Sequence, residues 1–125
     1  MKVMLTGGTG FIGGHLLKAL TSEGHDVRLL VRDEEKLERM IELQSIEAEV
    51  DYVIGDMADP ATVQASLEGC NACIHAAAFT SLDPSQMDQA LAVNGPAAQL
   101  ILDTAHQQGC DPIIHISTMS VIFPP

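Results

Sequence analysis

The sequence predicts an α/β fold in which helices cover both faces of a parallel sheet, the doubly wound arrangement. Short, nearly continuous apolar runs recur along the 125 residues, and longer helical patterns lie between them. Apolar strands of this kind are typical of parallel sheets that are buried on both faces. Strand and helix alternate four times before a fifth strand. Because crossovers between parallel strands are right-handed, we expect the strand order 3-2-1-4-5.

The individual elements follow from the same pattern. The strands are predicted over residues 3–5, 27–31, 50–54, 72–76 and 113–116. The helices are predicted over residues 12–23, 34–43, 60–68 and 84–108. Asp59 and Asp83 each precede a proline, the order expected of an N-cap residue and the first residue of a helix. Gly24, Gly69 and Gly109 each follow a helical run, where a left-handed residue commonly ends a helix.

An internal echo supports this division of the chain. Residues 69–75, GCNACIH, resemble residues 109–115, GCDPIIH, and both segments run from a helix end into a strand. We therefore expect Cys73 and Ile113 to occupy equivalent strand positions. The C-x-x-C pattern of Cys70 and Cys73 lies away from any helix N-terminus, where a redox motif needs it, so a structural role is expected for both thiols.

Composition and charge limit the classes of function. With 46% hydrophobic and 18% charged residues, one globular domain is expected over residues 1–125. The net charge of −11 argues against nucleic-acid binding, which needs clustered lysine and arginine. A site for an anion must therefore be local, built from backbone N–H groups and one or two cations.

The sequence lacks the usual features of membrane-spanning, secreted and metal-binding proteins. It has no apolar run of transmembrane length, and its N-terminus does not have the character of a signal peptide. Its three cysteines do not form a disulfide framework, and its five histidines lack the spacing of metal ligands. We expect a cytoplasmic protein with reduced thiols, no membrane association and no bound metal.

A glycine-rich turn follows the first strand and opens the first helix. Residues 6–13, TGGTGFIG, contain the pattern G-x-x-G-x-x-G at Gly7, Gly10 and Gly13. The first glycine permits the sharp turn, the second allows a pyrophosphate to approach the backbone, and the third allows close packing of helix on strand. Phe11 and Ile12 then stand in the first helical turn, whose N–H groups and dipole favour phosphate. This context predicts a dinucleotide site.

The same eight residues resemble the cofactor signature of the extended short-chain dehydrogenases. This family holds nucleotide-sugar epimerases, sugar dehydratases, dihydroflavonol reductases and hydroxysteroid dehydrogenases. The resemblance covers the whole chain, because later landmarks of the family also occur in order. It implies a Rossmann domain that binds NAD or NADP.

The end of the second strand favours NADP over NAD. Members that bind NAD carry an acidic residue at this strand tip, for the adenosine ribose hydroxyls, and the matching residue here is Val31. Arg32 follows at once, and a guanidinium suits the 2′-phosphate of NADP. The alternatives are that Arg32 is a solvated cation or that Asp33 binds the ribose, as in an NAD enzyme.

Further cofactor contacts are implied by the resemblance. Asp56 matches an aspartate that accepts from the adenine amino group, and Met57 a residue that packs on the ring. A turn or helix-capping role is the alternative for Asp56.

The fourth strand and helix supply another set of matches. Ala76, Ala77 and Ala78 match the small residues that let the cofactor cross the edge of the sheet. Asn94 matches an asparagine that supports the active site, and the alternative is a polar residue in mid-helix.

The catalytic half of the family pattern is only partly present. Aligned on Val121, the hydroxyl that binds the reacting oxygen of the substrate is Thr118, with Ser117 and Ser120 as alternates. The alternative is that these hydroxyls bond their own loop. The family's proton donor is the tyrosine of Tyr-x-x-x-Lys, but the single tyrosine here, Tyr52, has Asp56 four residues later. We therefore expect a chain truncated after strand five, inactive alone, with exposed apolar surface that could drive homo-oligomerisation.

Three functions remain open at this point. The first is the NADP-binding part of an oxidoreductase that acts on a small carbonyl or hydroxyl substrate, of the dihydroflavonol-reductase or hydroxysteroid-dehydrogenase type. The second is a nucleotide-sugar epimerase or dehydratase with bound NAD. The third is a non-catalytic NADP-binding sensor.

Overall fold

The computed structural model describes residues 1–118, which contain a five-stranded, wholly parallel sheet in the order β3-β2-β1-β4-β5. The strands are β1 (Lys2–Thr6), β2 (Asp26–Val31), β3 (Asp51–Ile54), β4 (Ala72–His75) and β5 (Ile113–His115). The predicted fold class and strand order are confirmed. Cys73 pairs in register with Ile113, which also confirms the interpretation of the internal echo.

The helices are α1 (Phe11–Ser22), α2 (Glu34–Leu43), α3 (Pro60–Leu67), α4 (Met87–Ala92) and α5 (Ala98–Gln107). Two predicted N-caps are present: the Asp59 carboxylate accepts from the backbone N–H of Thr62, and Asp83 accepts from Ser85 before a short 3₁₀ turn. The three predicted C-terminal glycines have positive φ angles: Gly24, Gly69 and Gly109. Local sequence therefore sets most of the helix ends.

The prediction of one continuous helix over residues 84–108 is wrong. A π turn, Val93–Ala97, separates α4 from α5. The cause is Pro96, which has no N–H to donate to the preceding turn and whose ring clashes with the carbonyl four residues back. Widening one turn into a π turn accommodates the proline without ending the helix.

Two apolar clusters form the core, one on each face of the sheet. Met4 and Cys73 contribute to the cluster that α3 and α5 cover, which also contains Leu67 and Ile101. The second cluster, on the opposite face, combines strand residues with residues of α1 and α2: Val3, Leu5, Leu17, Leu29 and Leu37. This alternation buries β1 and β4 on both faces and leaves their carboxyl ends at one edge of the sheet. Within residues 1–118, no helix is long and apolar enough to cross a membrane.

Candidate functional site

A cleft lies at the carboxyl edge of the sheet, where β1, β2, β3 and β4 end. It is lined by residues of the glycine turn, the ends of β2 and β3, the loop after β4 and the π turn: Thr6, Gly7, Thr9, Gly10, Leu30, Val31, Arg32, Asp33, Lys36, Gly55, Met57, Ala76, Ala77, Ala78, Phe79 and Val93. Ligands of open α/β sheets bind at this edge, between strands whose connections run in opposite directions. The cleft brings together many of the residues that the sequence predicts for the site.

Two glycines of the turn are required by the fold itself. Gly7 has φ +74°, and a Cβ there would lie 2.7 Å from the carbonyl carbon of Ala76 and from the backbone N of Ala77. At Gly13 a Cβ would lie 1.8 Å from the carbonyl oxygen of Gly7. Since neither position has room for a methyl group, both glycines hold the turn against its neighbours.

Gly10 is under a weaker demand from the chain than Gly7 and Gly13, because a Cβ there would make one tight contact and no direct clash. Its backbone is extended, at φ −86° and ψ 177°, a conformation open to any residue. The nearest atom to a Cβ at this position would be the carbonyl oxygen of Gly7, at 3.3 Å, and no other atom would lie within 4 Å. Gly10 lines the cleft. The missing side chain therefore leaves space for a ligand to approach the backbone.

The N-terminus of α1 begins beside this space. Gly10 is its N-cap residue and has no side chain to cap the helix, and the first turn contains no acidic residue. The backbone N–H groups of Phe11 and Ile12 belong to the first turn of the helix, which has no intrahelical carbonyl to bond them. The two side chains are exposed, and the Phe11 ring stands edge-on to His15 with centroids 4.9 Å apart. Any contribution of these residues to an anion site is thus through their backbone.

Arg32 and Lys36 are the basic residues that line the cleft, and both are exposed. Two of the acidic residues beside them have other partners. The carboxylate of Asp33 is the N-cap of α2, accepting from the Lys36 backbone N–H at 3.2 Å. The carboxylate of Glu34 accepts from the hydroxyl of Tyr52. Lys36 was not predicted; the signal that could have found it is Asp33 as an N-cap, which places Lys36 in the first turn of α2, next to Arg32.

Asp56 and Met57, in the turn that follows β3, differ in their surroundings. Met57 is buried and lines the cleft. Asp56 is exposed, does not line it, and accepts a hydrogen bond from the backbone N–H of Ala58 at 2.9 Å. One carboxylate oxygen of Asp56 is thus used in a local turn.

Asn94 acts on the loop after β4. Its side-chain oxygen accepts from the Phe79 N–H at 2.9 Å, and its side-chain nitrogen donates to the Phe79 carbonyl at 2.8 Å. Asn94 itself does not line the cleft, whereas Phe79 does. The π turn that carries Asn94 therefore holds the segment that continues from Ala76, Ala77 and Ala78.

The hydroxyl-bearing residues follow β5. Ser117 and Thr118 are exposed and come two and three residues after the end of the strand. The β4–β5 pairing extends to this point, since the backbone N–H of Ile116 donates to the His75 carbonyl at 2.9 Å. Neither hydroxyl residue lines the cleft. Ser120 lies outside the described residues.

A buried polar pair lies at the floor of the site. The Thr6 hydroxyl and His75 Nδ1 are 2.6 Å apart. Burial, and secondarily the neighbouring His115, lowers the pKa of His75 to about 4. This pair was not predicted from the sequence, although a polar residue at the end of an apolar strand was a usable signal.

The remaining reactive side chains are not arranged for catalysis. The hydrogen bond to Glu34 raises the pKa of Tyr52, the opposite of what a proton-abstracting phenol needs. Burial raises the pKa of the Cys73 thiol to about 12, and Cys70 and Cys110 are likewise buried. Among residues 1–118, no three histidine, cysteine or acidic side chains are placed to hold a metal ion.

Comparison with known proteins gives consistent relatives. A 4-hydroxy-2-methyl-3-oxo-4-farnesyl-3,4-dihydroquinoline-1-oxide ketoreductase of Stigmatella aurantiaca is 31% identical over 122 residues, which cover 98% of this chain and 35% of the relative. Sterol demethylase protein B of Methylococcus capsulatus is 26% identical, over 98% of this chain and 36% of the relative. The chain thus spans about a third of the length of these curated relatives.

A solved structure shows the same architecture. The UDP-glucose-4-epimerase of Stenotrophomonas maltophila, determined with bound NAD and formylated UDP-arabinopyranose, superposes with a TM-score of 0.81. It is 26% identical, and the match covers 97% of this chain and 38% of the epimerase. The model of the 3-beta hydroxysteroid dehydrogenase/isomerase family matches residues 4–125. This chain therefore belongs to that family, within the extended short-chain dehydrogenases that its glycine turn resembles.

Proposed function

We propose that the chain is the NADP-binding part of an oxidoreductase that transfers hydride between a nicotinamide and a small carbonyl or hydroxyl substrate, of the dihydroflavonol-reductase or hydroxysteroid-dehydrogenase type. The observation that carries the proposal is Gly10. Its backbone conformation does not require a glycine, and a Cβ there would meet only the Gly7 carbonyl oxygen, at 3.3 Å; Gly10 stands at the uncapped N-terminus of α1, in the cleft. A pyrophosphate bound there would meet backbone N–H groups and the positive end of the helix dipole.

The choice of NADP rests on the cations at the end of β2. Val31 is buried and offers no carboxylate, and Asp33, which lines the cleft, uses one carboxylate oxygen to cap α2. Arg32 and Lys36 both reach the cleft, so two positive charges are available to a 2′-phosphate. Because the chain has a net charge of −11, a site for an anion must be local. Arg32 and Lys36 together provide such a site in the cleft.

Cofactor titration of matched variants tests this choice. Arg32→Ala is expected to weaken NADP binding by roughly ten- to a hundredfold, because it removes a charge-assisted hydrogen bond, and to leave NAD binding nearly unchanged. Lys36→Ala should act in the same direction with a smaller effect. Arg39→Ala is the control, since it removes one charge from α2 at an exposed position that does not line the cleft. Equal losses for NADP and NAD in Arg32→Ala would contradict the assignment.

Hydride transfer requires a hydroxyl that bonds the substrate and a proton donor, in addition to the cofactor cleft. A bound nicotinamide would supply or accept the hydride. We assign Thr118 as the residue that donates a hydrogen bond to the reacting oxygen of the substrate, with Ser117 and Ser120 as alternates. We place the proton donor outside these 125 residues, in the part of the relatives' length that this chain does not span. On this account the chain alone binds cofactor without turnover, and cytoplasmic location remains part of the proposal.

A second candidate is a nucleotide-sugar epimerase or dehydratase that retains NAD. The likeness to the Stenotrophomonas epimerase, which holds NAD, favours it. The two functions differ in how the cofactor is kept, since an epimerase of this kind recycles its NAD in place. Release of NAD from the purified, heat-denatured protein would support the epimerase, and protein free of nucleotide that takes up added NADP would support the reductase.

A further inference from the structure

Three strands end in polar residues that stand side by side. Thr6, His75 and His115 are the last residues of β1, β4 and β5. The parallel register pairs Thr6 with His75 and His75 with His115. Thr6 and His75 are each only 1% exposed, and the rings of His75 and His115 stack with centroids 5.2 Å apart. A polar row thus crosses the carboxyl ends of three strands, buried at Thr6 and His75 and exposed at His115.

The hydrogen bonds of Thr6 determine the state of the His75 ring. The Thr6 hydroxyl oxygen lies 3.2 Å from the backbone N of Ala76 and 3.2 Å from that of Ala77. It also lies 2.6 Å from His75 Nδ1. Backbone N–H groups can only donate, so they occupy both lone pairs of the hydroxyl oxygen. The single hydroxyl proton must therefore go to His75 Nδ1, which means that this nitrogen carries no proton.

The two amides held in this way belong to the cleft. Ala76 and Ala77 both line it. Gly7 packs against the peptide group that joins them, since a Cβ on Gly7 would lie 2.7 Å from the carbonyl carbon of Ala76 and from the backbone N of Ala77. The hydrogen bonds from these two amides to Thr6 therefore help to fix the distance between the glycine turn and the segment after β4.

We propose that His75 is a positioning residue of the cofactor cleft: by accepting the Thr6 hydroxyl proton, it directs both lone pairs of Thr6 to the amides of Ala76 and Ala77. This inference rests on the proposed function, because the positioned backbone is that of the cofactor site. Burial keeps the ring neutral at neutral pH, as the arrangement requires. Among the described residues, His115 is the titratable neighbour that acts on the ring.

Two pairs of variants separate the hydrogen bond from simple filling of space. Thr6→Val and His75→Leu remove the hydroxyl and its acceptor, whereas Thr6→Ser and His75→Asn keep a hydroxyl and an acceptor oxygen in the same places. Ser66→Ala is the control, because it removes another buried hydroxyl, one that bonds only within α3. The measurements are NADP affinity by calorimetric titration, hydrogen exchange at the Ala76 and Ala77 amides, and the histidine ring-nitrogen NMR spectrum.

In Thr6→Val and His75→Leu, we expect faster hydrogen exchange at the Ala76 and Ala77 amides. We also expect both variants to bind NADP about three- to tenfold more weakly, because one hydrogen bond is lost. Thr6→Ser, His75→Asn and Ser66→Ala should stay within about twofold of the original protein. The wild-type spectrum should show His75 with an unprotonated Nδ1. Unchanged amide exchange in His75→Leu, or a protonated Nδ1, would overturn the inference whether or not NADP binds. Failure of the wild-type chain to bind NADP would instead contradict the proposed function.

Discussion

Gly10 and Gly13 belong to one turn, but they are glycines for different reasons. Gly13 has no room for a methyl group, because the carbonyl oxygen of Gly7 lies 1.8 Å from where its Cβ would be. Gly10 has an ordinary backbone conformation and faces the cleft. One glycine therefore serves the fold, and on our account the other serves the ligand.

This difference predicts opposite effects of the same substitution. Gly10→Ala should leave the free energy of unfolding within about 1 kcal/mol of wild type, while weakening NADP binding about tenfold or more, because the methyl group separates the pyrophosphate from its N–H donors. Gly13→Ala should lose roughly 1–3 kcal/mol or more of stability through overpacking. Urea unfolding and calorimetric titration measure the two effects. Unchanged NADP binding in Gly10→Ala would place the phosphates elsewhere.

At the scale of elements, the π turn connects a helix to the loop that borders the cleft. Pro96 forces the turn, and Asn94 within it holds both backbone groups of Phe79. The segment after β4 is otherwise irregular up to the 3₁₀ turn at Pro84–Gln86. The two hydrogen bonds of the Asn94 side chain therefore fix the backbone of Phe79, a residue that lines the cleft.

Asn94→Leu, which removes both hydrogen bonds at similar volume, should speed hydrogen exchange at the Phe79 amide by roughly tenfold and weaken NADP binding by a few fold. Asn94→Asp retains the acceptor and should show a smaller change at that amide. Gln99→Leu is the control, because the Gln99 side chain bonds only Asp103, on the exposed side of α5. If Phe79 exchanges at the wild-type rate in Asn94→Leu, the loop is held by other contacts.

The elements also show what sequence patterns can and cannot reveal. Helix caps and the glycine turn were predictable because each depends on local residue types, such as the proline after Asp59 or the glycine at position 69. The strand order was predictable because strand and helix alternate and crossovers between parallel strands are right-handed. The π turn was missed because helical periodicity continues through Pro96. Lys36 was missed because its position follows from Asp33 acting as a helix cap, which was not predicted. The Thr6–His75 pair was missed because strand register brings together residues distant in sequence.

At the scale of the whole molecule, the few basic residues are unevenly distributed. The chain has six lysine and arginine residues. Lys2 and Arg28 both pair with Asp51 at the amino edge of the sheet, where the Arg28 hydrogen bond, with help from Lys2, holds the pKa of that carboxyl below its usual range. Arg32 and Lys36 stand at the opposite edge, in the cleft. One pair of cations thus serves structure, and the other is available to a ligand.

The whole chain is also expected to separate binding from catalysis. With Tyr52 bonded to Glu34, the described residues offer no phenol suited to proton transfer. We expect the 125-residue protein to bind NADPH but not to oxidise it in the presence of ketone or dihydroflavonol substrates, as followed by nicotinamide absorbance. The Thr118→Ala variant, measured in parallel, should give the same background rate. Turnover that Thr118→Ala abolishes would contradict this view and would show that the chain is catalytically complete.

The central claim is that NADP binds across the carboxyl edge of the sheet. The most direct measurement is a titration of the isotope-labelled chain with NADP, and separately with NAD, followed by backbone amide NMR. We expect saturable shifts at Gly10, Phe11, Arg32 and Ala76 to Ala78, at lower concentrations of NADP than of NAD. Shifts confined to the Asp51 edge, the absence of saturable shifts, or tighter binding of NAD would contradict it.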